Sequence, residues 1–273
     1  MPFPADTTPS VRLKPFWDGA SMSEHVEISR EGAVQILRLN RPDKKNALTA
    51  AMYAALAEAL NAANANDAIA VTVILGQPGI FCAGNDIVDF LAASQGGAIL
   101  QGFEFLKALV ECDKPLIAAA DGPAVGIGTT LMLHCDLVFA SPRAVLQTPF
   151  VDLGLVPEAG SSLLGPRVLG HVRAFDLLVM GTPWPAEQAK EAGLVNAIVP
   201  PEELESTALR AAEALAKKPR EGVRLARRLL KGDPASLKKR MEEEGALFIE
   251  RVKSSEAVAA FAAFLKKSAR PAL

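Results

Sequence analysis

The chain has 273 residues and half of them are hydrophobic, so it can bury a sizeable core within one large domain. Its formal net charge of -2 excludes a general attraction to nucleic acid or to an anionic membrane surface. No apolar run reaches the roughly 20 residues that span a bilayer, and the N-terminus carries no secretory signal. The three cysteines and three histidines have no metal-type spacing, which favours reduced thiols, a cytoplasmic location and no metal ion.

The first elements in chain order predict an α/β core. Residues 1–23 are interpreted as a flexible lead-in, with Met22 as an alternative start to Met1. A strand hairpin is predicted over residues 26–39, and Thr49 is predicted to cap a helix that reaches Asn64. Further strands are predicted at 70–75, 115–120, 137–140 and 145–147, and helices at 86–93, 98–111 and 129–134. This alternation indicates an α/β core with buried strands over residues 24–200.

After Gly160 the pattern is mainly helical. Helices are predicted at 161–169, 172–179, 185–191, 201–217, 221–230 and 235–267. Residues 201–273 are therefore interpreted as a helical C-terminal region that packs on the core or on a neighbouring subunit. The basic residues between Lys217 and Arg240 fall at helical surface spacing with acidic residues among them, which favours a solvated helix face over a nucleic-acid contact.

Two glycine-containing loops each follow a predicted strand and lead into a helix. The first covers residues 83–87, where Asp86 is a good N-cap, and the second contains Gly126, Ile127 and Gly128. Neither loop has the spacing of a dinucleotide or phosphate loop. Two such loops close together would supply two backbone N–H groups to one oxygen, as in an oxyanion hole. Each loop alone is also consistent with an ordinary tight turn.

A third loop contains two candidate carboxylates. Glu158 lies in a turn among apolar residues, between Pro157 and Ala159, and a carboxylate in apolar surroundings has a raised pKa and is a better base. The residues by themselves favour a plainer interpretation, in which Glu158 only caps the next helix or places negative charge at its start. Asp152, earlier in the same loop, is the second carboxylate.

Five segments in order resemble the crotonase (enoyl-CoA hydratase/isomerase) family over nearly the whole length from about Val26. They are residues 39–42 with 46–48, 81–87, 122–136, 153–160, and a C-terminal Ser255-Glu256 followed by Phe261, Phe264 and Lys267. The resemblance implies a crotonase-like α/β fold, a spiral of ββα units followed by a helical C-terminal trimerisation region. It also implies a homo-oligomer, either a trimer or a dimer of trimers.

The resemblance assigns roles to the matching positions. It implies that the backbone N–H groups of Asn85 and Ile127 form an oxyanion hole. It implies that the coenzyme A moiety and its acyl group lie along Lys44, Lys45, Ala47, Ala83, Gly84, Asn85, Asp86, Ile87 and Gly126, with Phe264 and Lys267 often supplied by a neighbouring subunit. Coenzyme A arrives as part of an acyl-CoA thioester substrate, and no separate cofactor is implied.

Two departures from the family pattern bear on the reaction. Hydratases hold a water between two glutamates, and this chain has Thr130 and Phe150 at those positions. Glu158 stands where the peroxisomal-type Δ3,Δ2-enoyl-CoA isomerases keep their catalytic glutamate. The flanking residues 83–86, 148–150 and 157–162 also resemble that subset. The resemblance therefore implies an isomerase of fatty acid metabolism, with Glu158 as the base that shifts the double bond of a 3-enoyl-CoA to position 2.

Three other functions stay open at this point. The first is a hydratase with an unusual water-activating arrangement, and the second is another thioester reaction of the family, such as decarboxylation, dehalogenation or hydrolysis. The third is a non-catalytic acyl-CoA binder. Asp152 also stays open as the base: it lies just past the second hydratase position, and it shares a face with Phe150 if the chain is extended there.

Overall fold

The computed structural model describes residues 23–87 and 99–268. Within these ranges the strands are β1 (Val26–Glu31), β2 (Val34–Leu39), β3 (Val71–Leu75), β4 (Leu116–Ala120), β5 (Pro123–Val125), β6 (Leu137–Ala140), β7 (Val145–Gln147), β8 (Trp184–Pro185) and β9 (Ala197–Ile198). The predicted lead-in lies outside the described residues except for Ser23, and so does most of the helix predicted over residues 86–93.

The α-helices of the described residues are α1 (Ala50–Ala65), α2 (Ile99–Glu111), α3 (Ile127–Thr130), α4 (Ser161–Leu169), α5 (His171–Leu178), α6 (Ala186–Glu191), α7 (Pro201–Ala216), α8 (Arg220–Lys231), α9 (Pro234–Val252) and α10 (Ser255–Ser268). Short 3-10 helices cover Pro42–Lys44, Leu131–His134 and Val151–Leu153. None of the described helices is long and apolar enough to cross a membrane.

A six-stranded sheet in the order β1-β2-β3-β4-β6-β9 forms the centre of the fold. β1 and β2 pair antiparallel as the predicted hairpin. The other four strand pairs of this sheet are parallel. β3 and β4 are buried along their whole length, as predicted. The sequences of such strands are continuously apolar because both faces of the sheet are covered.

The two faces of the sheet are covered by different helices. Ile74 of β3 belongs to a large hydrophobic cluster that includes Leu60 of α1. Val73, one residue earlier and on the opposite face, belongs to a second cluster with Ala208 of α7. The first helix of the predicted C-terminal region therefore packs directly on the sheet.

A smaller sheet in the order β5-β7-β8 stands beside the first and positions the second glycine loop. β5 ends at Val125, and the N–H of Gly126 then donates to the carbonyl of Gln147 at the end of β7 (2.8 Å). β5, β8 and β9 were not predicted from the sequence. β8 and β9 have two residues each, which is too short to show a strand period. β5 begins with a proline, which argues against a strand.

The prediction of one helix over residues 235–267 is wrong, because the chain breaks into α9 and α10. Ser254 forms the break: its Oγ accepts a hydrogen bond from the N–H of Ala257 (3.2 Å), which caps the start of α10. Phe248 of α9 and Phe261 of α10 are both buried in the large cluster. The apolar spacing continues across the break, so the sequence pattern did not reveal it.

Candidate active site

The two glycine loops lie side by side. The N–H of Cys82 donates to the carbonyl of Pro123 (3.0 Å), and the N–H of Val125 donates to the carbonyl of Cys82 (2.8 Å). Gly84 follows with φ +91, and a Cβ at this position would lie 3.1 Å from the carbonyl oxygen of Val125. Only glycine combines this backbone conformation with so close an approach. The two glycine loops are therefore neighbours in the folded chain.

Among the residues that the structure describes, the N–H groups of Asn85 and Ile127 have no acceptor. Ile127 begins α3, so its N–H has no partner within the helix. Asn85 forms a parallel β-bridge with Leu48. In this bridge the N–H and the carbonyl of Leu48 bond to residues 84 and 86, the two chain neighbours of Asn85. The N–H of Asn85 must then point away from Leu48. Two free donors thus lie on adjoining loops, and their convergence on one oxygen stays a prediction.

The side chain of Asn85 is held by a residue that the sequence did not single out. The hydroxyl of Tyr53, on α1, donates a hydrogen bond to Asn85 Oδ1. Burial, with a smaller contribution from the negative charge of Glu158, raises the pKa of Tyr53 well above its usual value. Tyr53 therefore stays protonated and acts as a donor. The sequence offers one signal for it, because Tyr53 is the only tyrosine of the chain and the other buried residues of α1 are Met, Ala and Leu.

The segment of residues 44–47 is tied to the first glycine loop. Arg41 forms an ion pair with Asp86 (2.6 Å) and donates to the carbonyl of Ala47 (3.0 Å). The N–H of Ala83 donates to the carbonyl of Lys45 (2.9 Å), while the side chains of Lys44 and Lys45 are exposed. Asp86 therefore joins the first glycine loop to the segment that contains Arg41 and Ala47.

Two residues of the implied coenzyme A site cannot be placed. Phe264 and Lys267 belong to α10, but their side chains lie outside the described part of the chain. In contrast, Ala83, Asn85, Asp86, Ile87 and Gly126 are all partly exposed along the two loops. No group of three or more His, Cys, Asp or Glu side chains in residues 23–87 and 99–268 is placed to hold a metal ion.

Glu158 is partly buried in the turn before α4. Its Oε1 accepts a hydrogen bond from the hydroxyl of Thr130 (2.8 Å). The pKa of Glu158 is raised to about 7. Burial is the largest cause, and the nearby carboxylate of Glu244 acts in the same direction, whereas the hydrogen bond from Thr130 lowers the pKa. A carboxyl with a pKa near neutrality can both take up and return a proton under physiological conditions.

The plainer interpretation of Glu158, as a charge that serves the next helix, does not fit the contacts. α4 begins after Gly160, which has no side chain to cap it. At this end the N–H groups of Gly160 and Ser162 have no partner within the helix, and they donate to the carboxylate of Glu244 at 2.6 and 2.9 Å. Because Glu244 already fills the capping position, the side chain of Glu158 is available for other chemistry.

The other candidate carboxylate faces solvent. The chain is not extended after Phe150, because Val151–Leu153 forms a 3-10 helix. Phe150 is buried whereas Asp152 is exposed, so the two side chains do not share a face. Thr130 is fully buried at the other position where hydratases keep a glutamate. Neither hydratase position offers a carboxylate.

Comparison with known proteins decides the family. The model of the family described as enoyl-CoA hydratase/isomerase matches residues 29–270. The chain belongs to the enoyl-CoA hydratase/isomerase family. Its α/β architecture is that of solved enzymes of this family, as predicted from the sequence. Members of the enoyl-CoA hydratase/isomerase family act on acyl-CoA thioesters.

Relatives within the enoyl-CoA hydratase/isomerase family include isomerases. The chain is 34% identical to enoyl-CoA delta isomerase 2 of Rattus norvegicus, over 91% of this chain but 65% of the rat protein. It is 30% identical to peroxisomal enoyl-CoA delta isomerase 3 of Mus musculus, over 93% of this chain and 82% of the mouse protein. Pseudomonas aeruginosa OdaA matches with a TM-score of 0.85 and 45% identity, over 89% of this chain and 99% of that one. Relatives at similar identity are described as hydratases.

Proposed function

We propose that this protein is an enoyl-CoA isomerase that converts a 3-enoyl-CoA to a 2-enoyl-CoA. The observation that carries the proposal is the state of Glu158, a partly buried carboxyl with a pKa of about 7 that receives a hydrogen bond from Thr130. The chain also lacks the carboxylate pair that hydratases use to hold water, since Thr130 and Phe150 stand at those positions. The isomerases among its relatives agree with this reaction.

In the proposed reaction the thioester oxygen binds between the N–H groups of Asn85 and Ile127. Glu158 takes a proton from C2, and negative charge moves to the thioester oxygen. Each backbone donor of this type stabilises such a transition state by about 3 kcal/mol. The protonated Glu158 then returns the proton to C4. One carboxyl is sufficient, because the proton moves a short distance and no water is added.

Coenzyme A is proposed to lie along residues 44–47 and 83–87. The exposed ammonium groups of Lys44 and Lys45 suit its anionic phosphates, and glycine at position 84 lets the thioester approach the backbone. The roles of Phe264 and Lys267 stay predictions. The substrate brings coenzyme A with it, so no further cofactor enters the proposed mechanism.

Replacement of Glu158 tests the proposal directly. Glu158→Gln keeps the shape of the side chain and removes the base. We expect it to bind acyl-CoA normally and to lose at least about 10⁴-fold in the conversion of 3-enoyl-CoA, because one group serves both proton transfers. Asp152→Gln, at the exposed carboxylate of the same loop, is the matched control and should isomerise at the wild-type rate.

The same assays separate isomerase from hydratase and from an inert binder. We expect the wild-type protein to hydrate a 2-enoyl-CoA more slowly than it isomerises a 3-enoyl-CoA, by orders of magnitude. Rapid hydration by the wild-type protein, or wild-type isomerisation by Glu158→Gln, would falsify the proposal. Tight acyl-CoA binding with no turnover of either substrate would indicate a binding protein.

A further inference from the structure

Helix α9 packs directly on the turn that follows Glu158. Three of its residues, Leu237, Met241 and Glu244, are spaced so that they share one face of the helix. Gly160 lies under this face: a Cβ there would be 2.3 Å from Leu237 Cδ1 and 3.3 Å from Met241 Cγ. A side chain at position 160 would therefore have to displace the end of Leu237, and the φ of +69 at this position also favours glycine.

Glu244 is the polar member of this contact. It is 5% exposed, and its two carboxylate oxygens accept hydrogen bonds from the N–H groups of Gly160 (2.6 Å) and Ser162 (2.9 Å). Such charge-assisted bonds are among the stronger hydrogen bonds in proteins, and a carboxylate is favoured at a helix N-terminus. The backbone two residues after Glu158 is thus fixed by a side chain from the C-terminal region.

A second side chain fixes the same turn from the other side. Nε2 of the buried His134 lies 2.7 Å from the carbonyl oxygen of Ala159, and a carbonyl can only accept, so His134 donates. Burial lowers the pKa of His134 to about 4, so the ring is neutral at physiological pH. Ala159 itself has φ +61, which alanine rarely adopts without such external support.

We propose that Glu244 is a positioning residue for Glu158, holding the turn on which Glu158 stands and placing a negative charge beside its carboxyl. Helix α9 of the C-terminal region would then hold in place a base that belongs to the α/β core. The inference rests on the proposed role of Glu158 as the base.

The charges around the two carboxyls determine what removal of Glu244 does. Among the described residues, Glu158 faces Glu244 on α9, the protonated Tyr53 on α1 and the hydroxyl of Thr130. Glu244 faces Arg240, one turn earlier on its own helix, together with Ser162. Loss of the Glu244 charge removes repulsion from the ionised form of Glu158, so the pKa of Glu158 should fall. A loosened turn that admits water would shift the pKa in the same direction.

The experiment measures the ionisation of Glu158 without turnover. Infrared difference titration of the full chain follows the protonated carboxyl, and its absence in Glu158→Gln identifies the band. In Glu244→Gln we expect the pKa of Glu158 to fall by about half a pH unit or more, and kcat to fall about 10-fold or more with little change in KM. Glu242→Gln, at an exposed position on the same helix, is the matched control and should match the wild type in every measurement.

A merely structural role predicts a different result. If Glu244 only caps α4, Glu244→Gln will lower thermal stability and leave the Glu158 titration and kcat at the values of the Glu242→Gln control, which would overturn the proposal. Should Glu244→Gln not fold, Glu244→Asp decides. It keeps the charge on a shorter side chain, so we expect the pKa of Glu158 to stay closer to its wild-type value than in Glu244→Gln while kcat is reduced. A wild-type kcat would overturn the positioning role.

The two proposals fail separately. If Glu158→Gln still isomerises but the Glu158 titration moves in Glu244→Gln, the isomerase mechanism is wrong and the coupling of the two carboxyls stands. If Glu158→Gln is inactive and the titration does not move in Glu244→Gln, the mechanism stands and the role of Glu244 is wrong.

Discussion

At the scale of single residues, Thr130 has a double effect on Glu158. It stands where hydratases keep a glutamate, so it removes one of the two groups that would hold a nucleophilic water. Its hydroxyl nevertheless donates to Glu158 Oε1 (2.8 Å) and orients that carboxyl. A donor to the ionised form lowers a carboxyl pKa, which opposes the effect of burial. Thr130 therefore keeps part of the Glu158 population ionised at neutral pH.

We predict that Thr130→Val shifts the pH dependence of isomerisation. Valine has the same shape but no hydroxyl, so the pKa of Glu158 should rise above its present value of about 7. The acidic limb of the kcat/KM profile should move to higher pH, with reduced activity at pH 7. Thr130→Ser retains the donor and should behave like the wild type. An unchanged profile in Thr130→Val would show that the hydroxyl does not influence the base.

At the scale of elements, the glycine loops depend on close backbone contacts. The start of α3 packs against the backbone at Cys82. A Cβ at Gly128 would lie 2.7 Å from the carbonyl oxygen of Cys82 and 2.9 Å from its Cβ. The backbone position of Ile127, between Gly126 and Gly128, is therefore set by the absence of side chains around it.

We predict that Gly128→Ala strongly reduces kcat/KM for a 3-enoyl-CoA. The added methyl must displace the backbone at Cys82 or at Ile127, and a displacement of about 1 Å at a reacting group can reduce the rate about 100-fold. Gly102→Ala is the matched control, because Gly102 is also helical and a Cβ there meets no atom within 4 Å. The control should keep full activity and gain about 0.5–1 kcal/mol of stability. Steady-state kinetics and thermal unfolding of both variants test this, and a fully active Gly128→Ala would contradict it.

At the scale of the whole molecule, Glu158 makes folding stability depend on pH. Its pKa is about 7 in the folded protein, compared with an ordinary value of 4.5. The folded state therefore holds the proton more tightly than the unfolded state. The resulting stabilisation is fully present below about pH 4.5 and is lost as the pH rises through about 7. At 1.36 kcal/mol per pKa unit, the effect amounts to up to about 3 kcal/mol.

We predict that Glu158→Gln gains stability relative to the wild type as the pH rises. Above pH 7 the wild-type protein buries an ionised carboxylate and the variant does not, so between pH 4.5 and pH 8 the difference in the free energy of unfolding should move in favour of the variant by up to about 3 kcal/mol. Urea unfolding at pH 4.5 and pH 8 measures this, with Glu242→Gln as an exposed control. A stability difference that is the same at both pH values would rule out a raised pKa.

We also predict that the protein is a trimer or a dimer of trimers. Apolar side chains lie exposed on the described surface, among them Val172 (80%) of α5, Leu247 (52%) of α9 and Val258 (58%) of α10. Exposed apolar patches of this kind are typical of subunit interfaces. In contrast, Phe248 of α9 and Phe261 of α10 are buried within the chain. Analytical ultracentrifugation at micromolar concentration tests the prediction, and a monomer would contradict it.

The sequence by itself determined the order of the main elements and pointed to the three loops. Hydrophobic period and capping residues act over a few neighbouring positions, so the hairpin, the buried strands and the helix capped by Thr49 were predicted correctly. The glycines of the loops and Glu158 could also be identified from the sequence, because a turn is indicated by a few neighbouring residues. The family segments then gave each loop an expected role.

Only the tertiary structure decided what surrounds Glu158. Its hydrogen-bond donor, Thr130, is 28 residues away in the chain, and Glu244 reaches the same turn from α9. The hydrogen bond between Tyr53 and Asn85 likewise joins two segments that are distant in the chain. The pKa of a carboxyl depends on burial and on the charges nearby. Those neighbours come together only when the chain folds, so no local pattern in the sequence could reveal them.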